Sequence, residues 1–477
     1  MAKRRLNLLL SDIRFWILIA FVIRIYGLTF SPLETNHNWR QTTVSMVARN
    51  FLEVSNNIFY PRIDFAGDKT GITGMEFPFF NYLIYLFSRA FGYDHWYGRL
   101  INLMVSSVGI FYFFKLLKLA WNKKLAFLAT FVLIFSHWFK YGRKIMPDTF
   151  AISIVIIGLY YGYVYLKEGR YKHLLLAFLL LPLGTLSKLP AGYAYSFFIF
   201  PFLDGQIDWR KKVFLLGGLC PGLIFIIFWY FYWSPYLTQH FGFYHFFSGK
   251  SFSSGLSEIL SEPILFLKNF YEHPLHFVGF GLFLLGVFFI IKKKEWHFFY
   301  VFLLGLFAYL PIILKAGWTF VHHSYYMVPL TPLLALIAGY GLSEIKSQRL
   351  TVLFLIGFVA DNFFTQKDDF TRKKDFFAFE SLEKDLSLVG ASNKDLIVIN
   401  SHPNPTPFYF SHRKGWLMNN EEIAEPKKLL AHTNGKAKYI IIAKKSFGEN
   451  MQIRFTPMLS KEAYDIYDIN DFYPPKK

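Results

Sequence analysis

The residues best suited to chemistry in this sequence stand in short stretches far apart along the chain. Glu34, His37, Arg40 and Gln41 come first, followed by Glu76 ahead of Phe77-Pro78. Arg143, Lys144 and Asp148 make a second set, Lys188 stands alone, and His322, His323, Tyr325 and Tyr326 close the series. A carboxylate near a membrane interface can take the proton of a hydroxyl or amine nucleophile. Arg, Lys and His can hold a phosphate and stabilise it as it leaves. Acid, base and an apolar approach together suit a lipid-phosphate substrate whose tail stays in the bilayer.

Each of these residues also has a plainer reading. Asp148 follows Pro147 at a helix start, so it could cap that helix or complement the positive end of its dipole. Arg143 and Lys188 could be snorkelling residues at span ends, and Glu34 a solvated loop carboxylate. Glu76 precedes Phe-Pro-Phe-Phe at the expected interface, where a solvated role is less comfortable. Adjacent histidines such as His322 and His323 rarely chelate one ion well, which favours a phosphate or structural role over metal ligation. Trp39, Trp96 and Trp138 read as aromatic-belt residues.

The elements that must position these groups are membrane spans. Soluble domains are about 45–50% apolar and about 25% charged; this chain is 54% hydrophobic, 17% charged and 21% aromatic. That much apolar surface calls for bilayer as part of its solvent. The net charge of +19 falls in short basic clusters between apolar runs, a topology signal that argues against nucleic acid as a partner. The single Cys220 excludes an intrachain disulfide and a cysteine-based metal site. Met1 to Arg5 leads into a long apolar segment with no small-residue cleavage site and reads as a retained first span.

Apolar runs predict about eleven transmembrane helices, at 14–31, 97–117, 124–140, 147–166, 173–187, 189–203, 213–233, 275–291, 297–314, 324–342 and 350–364. Basic clusters at Lys3/Arg4/Arg5, Lys115/Lys118/Lys123/Lys124, Lys167/Arg170/Lys172, Arg210/Lys211/Lys212, Lys292/Lys293/Lys294 and Lys346/Arg349 mark the cytoplasmic side. An odd number of spans puts the C-terminal segment outside, along with the long loops 32–96 and 234–274. The latter holds the Ser/Gly-rich stretch Ser248 to Gly255. All the candidate groups above then share the outer face. In the first loop Val44, Val47, Ala48, Phe51 and Leu52 recur at helical spacing, which predicts an amphipathic helix along the membrane surface. A buried helix of an outer domain would give the same pattern.

From about residue 366 the charges become dense and balanced, and apolar runs shorten to Leu396–Ile399 and Tyr439–Ile442. That predicts a small α/β module with short parallel strands. The domains expected are thus 1–365, an all-α polytopic membrane domain, and 366–477, a soluble extracytoplasmic α/β domain. No nucleotide-binding or zincin motif is present.

The stretch His37-Asn38-Trp39-Arg40-Gln41, with Ala48-Arg49-Asn50-Phe51 and Glu76-Phe77-Pro78, resembles bacterial glycosyltransferases of the GT-C fold. The branch is that of protein O-mannosyltransferases and lipid A aminoarabinose transferases. Arg143 to Asp148, Ser187-Lys188 and His323 to Pro329 follow in the same order, so the resemblance covers about the first 345 residues. It implies transfer of one sugar, usually with inversion, from a polyprenyl-phosphate donor to an acceptor at the outer face of the cytoplasmic membrane. It implies no nucleotide, and it leaves a divalent ion, the sugar and the envelope acceptor open. Members carry an acidic pair at the start of the surface helix, where this chain has Arg40-Gln41. Glu76 and Asp148 become the leading catalytic carboxylates, with Glu34 third. Asp148 matches a second acidic position and Lys188 a lysine that contacts the lipid phosphate. His322, His323 and Tyr325 fall at donor-phosphate contacts, and His37, Arg40, Gln41 and Arg143 complete the substrate-binding set. A flippase for a lipid-linked glycan or a non-catalytic envelope scaffold are the alternatives; the first is disfavoured by the absence of repeated halves.

Overall fold

The computed structural model describes residues 9–243, 250–447, 451 and 453–473. The basic cluster Lys3/Arg4/Arg5 and the pair Ser248-Gly249 lie outside the described residues. The chain divides into two compact units. Unit 1 is Met1–Leu28, Arg99–Tyr232 and Phe247–Phe370; unit 2 is Thr29–Gly98, Trp233–Phe246 and Thr371–Lys477.

Unit 1 is helical. Among the described residues five helices are long and apolar enough to cross a membrane: Trp96–Ala120, Pro147–Glu168, Trp209–Phe241, His276–Lys293 and Trp296–Ala316. Shorter apolar helices cover Tyr171–Ser187, Leu189–Leu203 and Thr331–Ser343. The helices Ile13–Ile25, Lys123–Phe135 and Gln348–Gln366 belong to the same unit. The architecture is a largely helical, polytopic membrane fold. Of the expected span 189–203, Leu189–Phe198 winds as a 3-10 helix before one α turn at Ile199–Leu203. Pro190 near its start and Gly192 tight against Thr185 favour that narrower winding. Trp138, expected in an aromatic belt, is fully buried.

Close helix contact in unit 1 depends on two glycines. A Cβ at Gly184 would come within 2.7 Å of the Ala151 carbonyl oxygen, and one at Gly158 within 2.7 Å of Leu181 Cγ. The helices Pro147–Glu168 and Tyr171–Ser187 can therefore run antiparallel at backbone contact. Continuing that register brings Asp148, at the start of the first, opposite Lys188, at the end of the second.

Unit 2 is built on a five-stranded sheet in the order β2-β1-β3-β5-β4. Its strands are β1 (Leu396–Ile399), β2 (Gly415–Leu417), β3 (Ala437–Ala443), β4 (Leu459–Ser460) and β5 (Tyr464–Asp468). β1 pairs in parallel with β2 and β3, as the apolar runs predict, with Val398 opposite both Trp416 and Ile440. The antiparallel pairs of β3 with β5 and of β4 with β5 were not anticipated, because Asp465 and Asp468 interrupt the apolar character of β5. Side chains alternate between two cores: Ile397, Ile399, Ile441 and Ile466 face one, Val398, Ile440, Ile442 and Tyr467 the other.

The first of those cores also contains Leu33, Met46, Val47, Phe51 and Tyr85. The helix Asn38–Glu53 is thus a layer of unit 2 and not an interfacial helix with one exposed face; thirteen of its residues are buried. Its polar face is satisfied inside the unit. Arg49 pairs with Asp64 at 2.9 Å, donates to the Tyr409 carbonyl and lies over the Tyr409 ring. Asn38 accepts hydrogen bonds from Asn404 and Thr406 of the Pro-rich turn. Those partners lie more than 300 residues away, beyond the reach of any local pattern.

Candidate functional site

In unit 1 the loop before Asp148 is held from inside a span. Asn102, on Trp96–Ala120, donates to the carbonyls of Tyr141 and Lys144 at 2.9 and 2.8 Å. Its own oxygen accepts from Thr149 at 3.0 Å. Pro147 then starts the next helix with its missing N–H in the position that needs none. The cap position is Met146, so Asp148 is not the capping residue; it lies in the first turn, 2% exposed. Lys188 Nζ lies 3.9 Å from Asp148 Oδ1 and 5.8 Å from the centre of the Tyr325 ring.

Tyr325 is buried in a stack of rings, 5.2 Å from His323 and 5.0 Å from Tyr326. Two tyrosines hold this segment through its backbone: Tyr309 donates to the Tyr326 carbonyl and Tyr193 to that of Pro329. Asp148, Lys188, His323 and Tyr325 therefore share one neighbourhood. His322 turns elsewhere. It stacks on Trp318 at 4.1 Å and faces Glu262 at 3.4 Å. Arg143, 3% exposed, donates to the Gly27 carbonyl at 3.0 Å and lies over the Phe370 ring.

The sequence reading missed Asp369, whose surroundings look like the start of a solvated tail. The structure buries it between Lys140 Nζ at 2.8 Å and Lys144 Nζ at 2.5 Å. Burial alone would raise its pKa, but the two ammonium groups hold it well below the usual carboxylate range. The balanced run Lys367 to Asp375 carried no signal that one of its acids turns inward.

In unit 2 the two residues standing where the resemblance expects acids each hold an acid from elsewhere. Arg40 pairs with Glu76, and Gln41 donates to Glu34 at 2.8 Å. Glu34 is 4% exposed, which overturns its reading as a solvated loop carboxylate; an isolated β-bridge with Arg372 fixes its backbone. Glu76 follows Gly74, where a Cβ would collide with the Ser234 carbonyl oxygen. His37 sits at the start of the helix in the left-handed region at φ 65° and does not cap it through its side chain.

Unit 2 also has a polar cavity of about 720 Å³, lined among others by Arg49, Glu53, Arg372, Glu383, Tyr409 and His412. His412 bridges Glu53 at 2.7 Å and Glu383 at 2.9 Å. The hydrogen bond to Glu53 raises the His412 pKa against the effect of burial. Burial pushes Glu53 up, but His412 more than offsets it and the net shift is down. Among the described residues no group of three or more His, Cys, Asp or Glu could hold a metal ion.

Residues 75–233 match the protein family described as dolichyl-phosphate-mannose-protein mannosyltransferase. No curated protein matches the chain in sequence. Among solved structures, ArnT from Cupriavidus metallidurans bound to undecaprenyl phosphate is similar, with a TM-score of 0.56 and 10% identity. That likeness covers 97% of this chain and 99% of ArnT. The Archaeoglobus fulgidus oligosaccharyltransferase in its apo form gives a TM-score of 0.55 at 12% identity, over 89% of this chain and 69% of that one. The same archaeal enzyme, AglB, with an inhibitory peptide and a dolichol-phosphate gives 0.50 at 12%, over 90% and 69%. At such identities the likeness is one of fold, and it bears out the architecture that the resemblance implies.

Proposed function

We propose that this chain is a membrane-embedded glycosyltransferase that moves one sugar from a polyprenyl-phosphate donor to an acceptor at the outer face of the cytoplasmic membrane. Its eleven crossings place the loops 32–96 and 234–274 and the segment from 366 onward outside. The reading rests on the match of residues 75–233 to a mannosyltransferase family and on the fold shared with ArnT and AglB, whose structures hold undecaprenyl phosphate and dolichol-phosphate. The single observation that carries it to residues is the pair Asp148–Lys188, set beside Tyr325 at the mouth of a helix pair held together by Gly158 and Gly184.

In this mechanism the acceptor oxygen or nitrogen attacks the anomeric carbon as the bond from that carbon to the phosphate oxygen breaks. The electron pair of that bond leaves with the polyprenyl phosphate. Lys188 steadies the growing phosphate charge, and Asp148 orients Lys188 and the sugar. Glu76, with Glu34 as the next candidate, takes the acceptor's proton. Arg40 and Gln41 keep the two carboxylates in place, which turns the missing acidic pair into a relocation: the acids come from positions 34 and 76 and are gripped by the residues at 40 and 41. His323 and Tyr325 line the phosphate side, with His37 and Arg143 as further binding residues. His322, paired with Glu262, takes a lesser part.

The test is transfer of radiolabel from polyprenyl-phosphate sugars to cell-envelope acceptors by the purified protein. Glu76→Gln and Asp148→Asn are each expected to lower transfer by about a hundredfold or more, the usual size of such a loss. Transfer that survives both substitutions together would overturn the assignment.

A further inference from the structure

Away from the candidate site, unit 1 carries a groove of about 1400 Å³ along three helices, Ile13–Ile25, Lys123–Phe135 and Gln348–Gln366. Its walls are apolar and aromatic, with Trp16, Phe131, Ile356 and Phe363 among them. Trp16 packs edge-on against Phe131 at 5.0 Å, which closes the groove floor between the first two helices. Ile356 and Phe363 are 62% and 61% exposed on the third.

One end of this groove is cationic. Lys123 and Lys124 open their helix, and Lys346 stands two residues before Gln348. Leu10 and Ser11, which lead into Ile13–Ile25, line the same groove. All three helices therefore start at the lysine end, and their dipoles add positive potential to that of the ammonium groups. The nearby Asp12 is held chiefly by Arg14 at 2.6 Å and more weakly attracts Lys123, so one carboxylate stands against four cations and this end keeps a net positive charge. Lys124 is tied to the groove mouth by a 2.5 Å bond to the Ser343 carbonyl.

The dimensions fit a leaflet. From Gln348 to Phe363 the helix rises about 22 Å at about 1.5 Å per residue. A leaflet with its headgroups is half of about 40–45 Å. A cation cluster at one end and a leaflet's length of apolar wall behind it match an amphiphile with an anionic head. The three lysines belong to basic clusters that the charge pattern assigns to the cytoplasmic side, where anionic lipids enrich the leaflet.

We propose that this groove binds one anionic phospholipid of the inner leaflet, its phosphate at Lys123, Lys124 and Lys346 and its acyl chains along Trp16, Phe131, Ile356 and Phe363. The site lies among residues that take no part in sugar transfer, so the proposal stands apart from the reading of the activity. It gives the first span, Lys123–Phe135 and Gln348–Gln366 a shared lipid that fills the space between them.

The experiment is native mass spectrometry of the full chain in detergent, offered phosphatidylglycerol, phosphatidylcholine or polyprenyl phosphate in turn. Phosphatidylglycerol should be retained in preference to phosphatidylcholine. Lys123→Gln, Lys124→Gln and Lys346→Gln should each weaken that retention by up to about fivefold, and the triple arginine variant should restore it. Val359→Trp, which fills the groove without touching charge, should abolish retention while the melting temperature holds. Equal retention of the two phospholipids, full retention in the triple glutamine variant, or a preference for polyprenyl phosphate that Val359→Trp removes would each overturn the proposal.

Discussion

Asp369 and Asp148 are both buried in unit 1 and both face lysine, yet Asp369 is clamped by Lys140 at 2.8 Å and Lys144 at 2.5 Å while Asp148 meets Lys188 at 3.9 Å. In the first cluster both lysines hydrogen-bond the carboxylate, and desolvation is offset by short contacts on two sides. In the second the Lys188 ammonium stands 3.9 Å from the carboxylate and 5.8 Å from the centre of the Tyr325 ring. A closed clamp holds a structure together. A wider pair attracts more weakly, and the proposed function assigns its ammonium to an anionic ligand. The same two acids read in the opposite order from sequence, where Asp369 sits among balanced charges and Asp148 at a helix start.

Removing the clamp should have the largest effect. Asp369→Ala leaves two ammonium groups facing each other in a buried site, and a loss of about 3–5 kcal/mol in stability is expected. A melting temperature equal to that of the parent protein would show that the cluster is not structural. Lys188→Met should act mainly on activity: a fall in transfer of about a hundredfold, as for loss of one stabilising donor, with a smaller drop in melting temperature than Asp369→Ala because the pair it breaks is wider. If it instead unfolds the protein, the two clusters are alike and the comparison fails.

The pairs of unit 2 sharpen the same distinction at a smaller scale. A charged hydrogen bond is worth roughly twice a neutral one. Arg40→Met should therefore lower transfer by about tenfold, and Gln41→Leu, which only loosens Glu34, by less. Equal losses would place Glu34 on a par with Glu76. The smallest effect is expected at His412, which is part-exposed. Its raised pKa adds stability that is fully present below the unfolded value of about 6.5 and is lost as pH rises through the folded value. The lowered pKa of Glu53 adds stability present above about 4.3 and lost as pH falls through its folded value. Parent protein should thus melt highest in the mildly acidic window between, by less than about 1 kcal/mol. His412→Gln should flatten that profile.

Much of unit 1 was legible because its signal is local. Apolar runs near twenty residues mark helices wherever water cannot reach the backbone, and Pro147 and Gly169 at its two ends delimit the helix that carries Asp148. The runs at Leu396–Ile399 and Tyr439–Ile442 likewise announced parallel strands. The helix at Asn38–Glu53 was found but its setting was not. Its apolar spacing is the same whether membrane or sheet covers it, and what covers it is β1 and β3 with their neighbours, hundreds of residues later.

Residue types, their order and the hydropathy pattern decided by themselves that this is a many-span membrane protein with a small α/β module, and they marked which acids and bases to watch. Tertiary structure alone decided the partners. Arg40 took Glu76, Gln41 took Glu34, Lys188 came opposite Asp148, and Asp369 turned inward to two lysines. Hydropathy is a sum over neighbours along the chain, whereas an ion pair depends on a helix register set by contacts such as Gly184 against Ala151. No spacing within a single stretch of sequence encodes that register.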